Sequence, residues 1–135
     1  MNHEDDAASA EVPVDGLLSA IQSFLIESAA PHLEGRNRFN ARVAANALGI
    51  VQRELSMGPA LRALDENAAT QWLSTLETDA TIAQRLSRAL AKREIQDDPP
   101  FFNYLKQRQL LVTAINNPKY ASRSIAEARW SSTVC

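Results

Sequence analysis

Arg36-Asn37-Arg38-Phe39-Asn40-Ala41-Arg42-Val43-Ala44-Ala45-Asn46-Ala47-Leu48-Gly49-Ile50-Val51-Gln52-Arg53-Glu54-Leu55-Ser56-Met57-Gly58 carries two helical rows at once. At roughly 100° per residue, Phe39, Val43, Ala47, Ile50 and Val51 form an apolar stripe, the face expected to meet a core. Arg42, Asn46 and Arg53 fall within about 40° of one another on a polar row shared with Gly49. An ordinary surface helix needs the first row only. The second row asks for something polar to bind, inside the fold or outside it.

Working outward, the flanking segments repeat the helical period. Asp15 can cap a first helix bearing Leu17, Leu18, Ile21, Phe24, Leu25 and Ala29, closed by Pro31 and Gly35. The central helix is expected from about Asn37, its cap, to Met57, with Gly58-Pro59 as the stop. A third helix carries Leu61, Leu64, Ala68, Trp72, Leu73 and Leu76, and a fourth, capped by Thr78 or Asp79, carries Ile82, Leu86 and Leu90. Asp97-Asp98-Pro99-Pro100 starts a fifth, with Phe102, Leu105, Leu111, Val112 and Ile115, and Asn117-Pro118 ends it. No alternating stretch predicts a strand. The expectation is an all-α, single-domain bundle of about five helices over residues 14–118. Residues 1–13 read as a disordered acidic leader, and 119–135 as a tail with room for a short helix.

Composition narrows the function classes. Five acids and no Lys or Arg occupy residues 1–15, so the formal charge of −2 for the chain becomes −2 + 5 = +3 once those five are set aside. That is far from the charge density of a nucleic-acid binder. No apolar run approaches a membrane span and no signal-peptide pattern opens the chain, so a cytoplasmic protein without membrane contact is expected. The one cysteine, Cys135, leaves no internal disulfide and no cysteine metal cluster. His3 and His32 are isolated, and neither a phosphate loop nor a nucleophile elbow is present. Catalysis by this chain, a metal site and a cofactor are not expected.

The candidate binding residues are Arg42, Asn46, Arg53, Glu54, Tyr120 and Trp130. Two guanidinium forks around an amide suit a carboxylate, a phosphate or a partner's backbone. The structural alternative pairs Arg53 with Glu54, lets Asn46 tie a loop and lets Gly49 admit a helix crossing. Arg36, Arg38, Arg42, Arg53 and Arg62 meet a single acid, Glu54, between positions 35 and 64, a local excess able to steer an acidic partner. Tyr120 is suited to anchoring the tail, Trp72 to the core and Trp130 to a partner.

The string Phe39-x-x-Arg42-Val43-Ala44-Ala45-Asn46-Ala47-Leu48-x-Ile50-Val51-x-Arg53-Glu54-Leu55, after a helix ending Phe24-Leu25 and before a closing Asn117-Pro118-x-Tyr120, resembles a family of small helical bacterial proteins of unassigned domain type. Its members are encoded beside aminoglycoside-phosphotransferase-like kinases and acyl-CoA dehydrogenases. One branch resembles the accessory subunit of the hydroxyacyl-CoA kinase of levulinate catabolism. The resemblance covers roughly residues 14–120 and implies a non-catalytic accessory or regulatory subunit of such a kinase. A second function is a binding module for an anionic metabolite such as acyl-CoA, held at Arg42 and Arg53. One departure stands out: the family pattern places a glycine after the fourth helix, where this chain has Ala91-Lys92-Arg93-Glu94.

Overall fold

The computed structural model describes residues 12–74 and 80–131, and among them every regular element is helical. The α-helices are α1 (Val14–Ser23), α2 (Gly35–Trp72), α3 (Ile82–Ala91), α4 (Pro99–Asn116) and α5 (Ala121–Ser131). A π-helical stretch, Phe24–Ala29, and a 3-10 turn, Ala30–His32, lead out of α1. The fold is all-α with five α-helices, as expected, but the chain divides them differently. Residues assigned to separate second and third helices form one, and the tail supplies the fifth.

The expected stop at Gly58-Pro59 does not stop the helix, because Pro59 lies inside α2. Proline disfavours helical backbone in the residue before it partly through that residue's Cβ, and Gly58 has none. The bond Pro59 cannot donate is one to Leu55, and both residues are exposed, so solvent takes the free carbonyl. Gly58 has a further use. A Cβ there would lie 2.6 Å from Glu54 Oε1 and 3.1 Å from Arg62 Nη1, so its absence lets those two side chains meet above it.

Other boundaries follow local chemistry. The cap of α2 is not Asn37, since the helix begins at Gly35, whose φ of +51° is in the left-handed region open to glycine. Thr81 caps α3 in a reciprocal box with Gln84; the expected caps Thr78 and Asp79 lie outside the described residues. Pro99 and Pro100 open α4, and Asn117 closes it by donating its N–H to the Thr113 carbonyl at 2.8 Å. Leu76, residues 1–11 of the leader and Cys135 also lie outside the described residues.

The chain forms two compact units, Met1–Gln52 and Arg53–Cys135. In the second, Ala68, Leu86, Ala89, Ile95, Phe101 and Tyr104 make a core, with Leu64, Trp72, Leu73 and Ile82 packed on it. Trp72 and Phe101 meet edge to face at 5.1 Å, and Tyr104 lies 5.8 Å from each. The expected stripe of α4 is shifted: Phe101, Tyr104, Ala114 and Ile115 are buried, whereas Phe102 and Leu105 are exposed. Leu90 of α3 is exposed too.

The first unit departs furthest from expectation. Its buried residues among those described are Ala30, Ala41, Ala45 and Gly49, all small. Gln22 donates to the Ala45 carbonyl at 2.9 Å, and Gln52 reaches Ser19 Oγ at 2.8 Å and Asp15 Oδ1 at 3.2 Å, which seats α1 on the small-residue face of α2. The stripe expected to be core is outside: Phe39 is 64% exposed, Val43 47%, Ile50 37% and Val51 44%, and Ala47 is exposed with them. On α1, Leu17 and Ile21 are exposed as well, as is Phe24 at the start of the π-helical stretch.

Candidate functional site

The polar row is split between the two units. In the first, Arg42 and Asn46 are exposed, and neither has a hydrogen bond or ion pair among the described residues. Gly49 is buried beside Ala45, as a close helix crossing requires. These three residues behave as a surface pair and a spacer.

In the second unit the row's residues are engaged. Arg53, half-buried, donates from Nε to the Ile115 carbonyl at 2.7 Å. That carbonyl lies in the last turn of α4, where backbone acceptors lack intrahelical donors and a cation also suits the helix dipole. Glu54 faces Arg62 at 3.7 Å rather than Arg53, with both side chains more than half exposed. Arg53 therefore holds two helices together, while Glu54 makes a solvated pair worth little.

Tyr120 and Trp130 come together. With Leu110, Thr113, Ser122 and Arg123 they line a cleft of about 230 Å³ between α4 and α5. Tyr120 is 55% exposed at its rim, and Trp130 is half-buried in it. Arg123 sets the cleft's geometry: Nη1 donates to the Pro118 carbonyl at 3.3 Å and Nη2 pairs with Glu127 at 2.6 Å, tying α5 to the turn after α4. Its Nε is buried with no partner among the described residues.

A polar network not expected from the sequence ties α2 to α4 beneath the aromatic cluster. Asp65 Oδ1 accepts from Tyr104 Oη at 2.8 Å and from Arg108 Nε at 3.0 Å, and its Oδ2 accepts from Arg108 Nη2 at 3.4 Å. Burial, then the bond to Asp65 and its charge, push the Tyr104 hydroxyl well above its ordinary range. Nearby, Asp98 accepts from Trp72 Nε1 at 3.0 Å instead of capping α4 with its side chain. The residues stand 39 and 43 positions apart in the chain, so no local spacing announces the network. At the cleft, the i,i+4 spacing of Arg123 and Glu127 is a local signal that could have pointed to their pairing.

Among the described residues no three His, Cys, Asp or Glu side chains are grouped to hold a metal, and no helix is long and apolar enough to cross a membrane. No curated protein and no solved structure matches the chain. A family model does match, over residues 31–120, from the 3-10 turn to the rim of the α4–α5 cleft. With the Arg53 bond and the aromatic core inside that span, which takes in 90 of the 135 residues, the chain belongs to the family described as a domain of unknown function (DUF6285).

Proposed function

We propose that this chain is a non-catalytic accessory subunit that docks on an aminoglycoside-phosphotransferase-like kinase acting on hydroxyacyl-CoA. The observation that carries docking is the exposed stripe of Phe39, Val43, Ile50 and Val51 on α2, with Leu17 and Ile21 of α1 and Phe24 just after it exposed in the same unit. Apolar stripes of this extent are covered in a protein that works alone. The kinase and its substrate class come from the sequence resemblance carried by Arg42, Asn46, Arg53 and Glu54.

The alternative, an acyl-CoA or other anionic metabolite held at Arg42 and Arg53, has less support. Arg53 is spent on the Ile115 carbonyl, which leaves Arg42 without its second fork.

Co-expression with the kinase from the same source cell, followed by native mass spectrometry, tests the reading. A stable complex is expected. Phosphorylation of hydroxyacyl-CoA should require the kinase, and the isolated chain should turn over neither ATP nor hydroxyacyl-CoA. A kinase that never associates with the chain, or turnover by the chain alone, overturns it.

A further inference from the structure

We infer that the exposed face of α2 over residues 36–51 takes a protein surface built as an apolar ridge bordered by carboxylates, and not a second copy of this chain. The inference rests on the docking reading above and names the chemistry of the partner's side of that contact.

The face has an ordered layout. Phe39, Val43 and Ile50 lie within about 40° of one another around the helix, and Arg36 and Arg42 fall about 60° to either side of Phe39. Both arginines are exposed, and neither has a hydrogen bond or ion pair among the described residues. Arg38, by contrast, spends its Nε on the Leu33 carbonyl. No Asp or Glu occurs in α2 before Glu54. Phe39, Val43 and Ile50 down the middle and, on both edges, guanidinium groups with no partner among the described residues form a surface whose complement is apolar in the middle and acidic on its edges.

The same charges argue against self-association. A two-fold contact sets one patch against an identical patch. Here that would gather the arginines of both copies with no carboxylate of α2's first half among them, a like-charge juxtaposition that suppresses pairing. An anionic bilayer would suit an apolar stripe with basic edges. Co-sedimentation with anionic vesicles distinguishes that surface from a protein one.

The experiment uses the full chain and the kinase. Affinity is measured for the wild-type chain, for the double variant Arg36→Glu/Arg42→Glu, for Phe39→Asp and the milder Phe39→Ala, and for Lys92→Ala, an exposed position outside α2, as a control. Circular dichroism melts confirm that each folds; these side chains are exposed, so melts should match wild type. The charge reversal should weaken binding on the order of tenfold and flatten its salt dependence. Both Phe39 variants should weaken it, and Lys92→Ala should leave it unchanged. If the complex forms and the charge reversal changes neither affinity nor salt dependence, the inference falls and the accessory reading stands. If the wild-type chain binds no kinase, the reading falls first and takes the inference with it. A wild-type dimer in sedimentation equilibrium that Phe39→Asp dissociates would assign the face to a second copy and overturn the inference. So would co-sedimentation with phosphatidylserine vesicles lost in the same variant.

Discussion

At position 93 an arginine occupies the left-handed backbone region, φ 58°, that a helix end usually gives to glycine. The hydrogen bonds define the motif: Glu94 N–H reaches the Ala89 carbonyl at 2.9 Å and Arg93 N–H reaches Leu90 at 3.0 Å. Left-handed backbone costs an L-residue with a Cβ roughly 1–2 kcal/mol, part of which the wider unfolded freedom of glycine cancels. Arg93→Gly should therefore raise stability by about 0.5–1 kcal/mol, read as a higher denaturant midpoint with an unchanged slope. A lower midpoint would show that the Arg93 side chain contributes more than its backbone costs.

At the scale of elements, the informative result is a helix that runs through its own predicted end. Pro59 was read as a stop because it lacks a donor and crowds the preceding residue, and both statements remain true of it. What the pattern did not convey is that Gly58 relieves the crowding, and that the exposure of Leu55 and Pro59 makes the missing bond tolerable. Pro59→Ala restores that bond and should stabilise the protein by about 1–3 kcal/mol in thermal or chemical melts. A loss of stability would argue that α2 is interrupted there.

The α2–α4 contact makes a separate prediction. The Tyr104 hydroxyl titrates higher in the folded chain than in the unfolded one. Its contribution is complete below the unfolded value of about 10 and is lost as pH rises from there through the folded value, because the unfolded chain releases its proton first. Denaturation midpoints should fall more steeply above about pH 10 in the wild type than in Tyr104→Phe. Equal slopes would remove Tyr104 from the alkaline transition.

At the scale of the whole molecule, helix content, the all-α class and the packing of Trp72 on the core were legible, since each rests on local period or on bulk apolarity, whereas its partners Phe101 and Tyr104 were not. Which face of each helix turns inward was not. Periodicity finds an apolar stripe but carries no information about what covers it, so Phe39, Val43, Ile50 and Val51 read as core although small residues, Ala41, Ala45 and Gly49, take that place. The binding residues divide for the same reason. Arg42 and Arg53 are alike in sequence, and only the fold brings the end of α4 to Arg53. The two units should also differ in local stability. The first buries only small side chains among those described, the second an aromatic and aliphatic core. Amide hydrogen exchange should be fast in α1 and slowest at residues 101–104 and 114–115. Protection as strong in α1 as in α4 would mean that the first unit is held by more than its helix crossing.

The uncovered stripe also bears on supply. Under the docking proposed above, a chain made in excess of what covers Phe39, Val43 and Ile50 would present chaperones and proteases with a standing hydrophobic flag, and its lifetime in the cell would depend on how many places there are to dock. Production of the two proteins in step would then serve quality control as much as activity, with orphan copies cleared through the same surface that is proposed to recruit the partner.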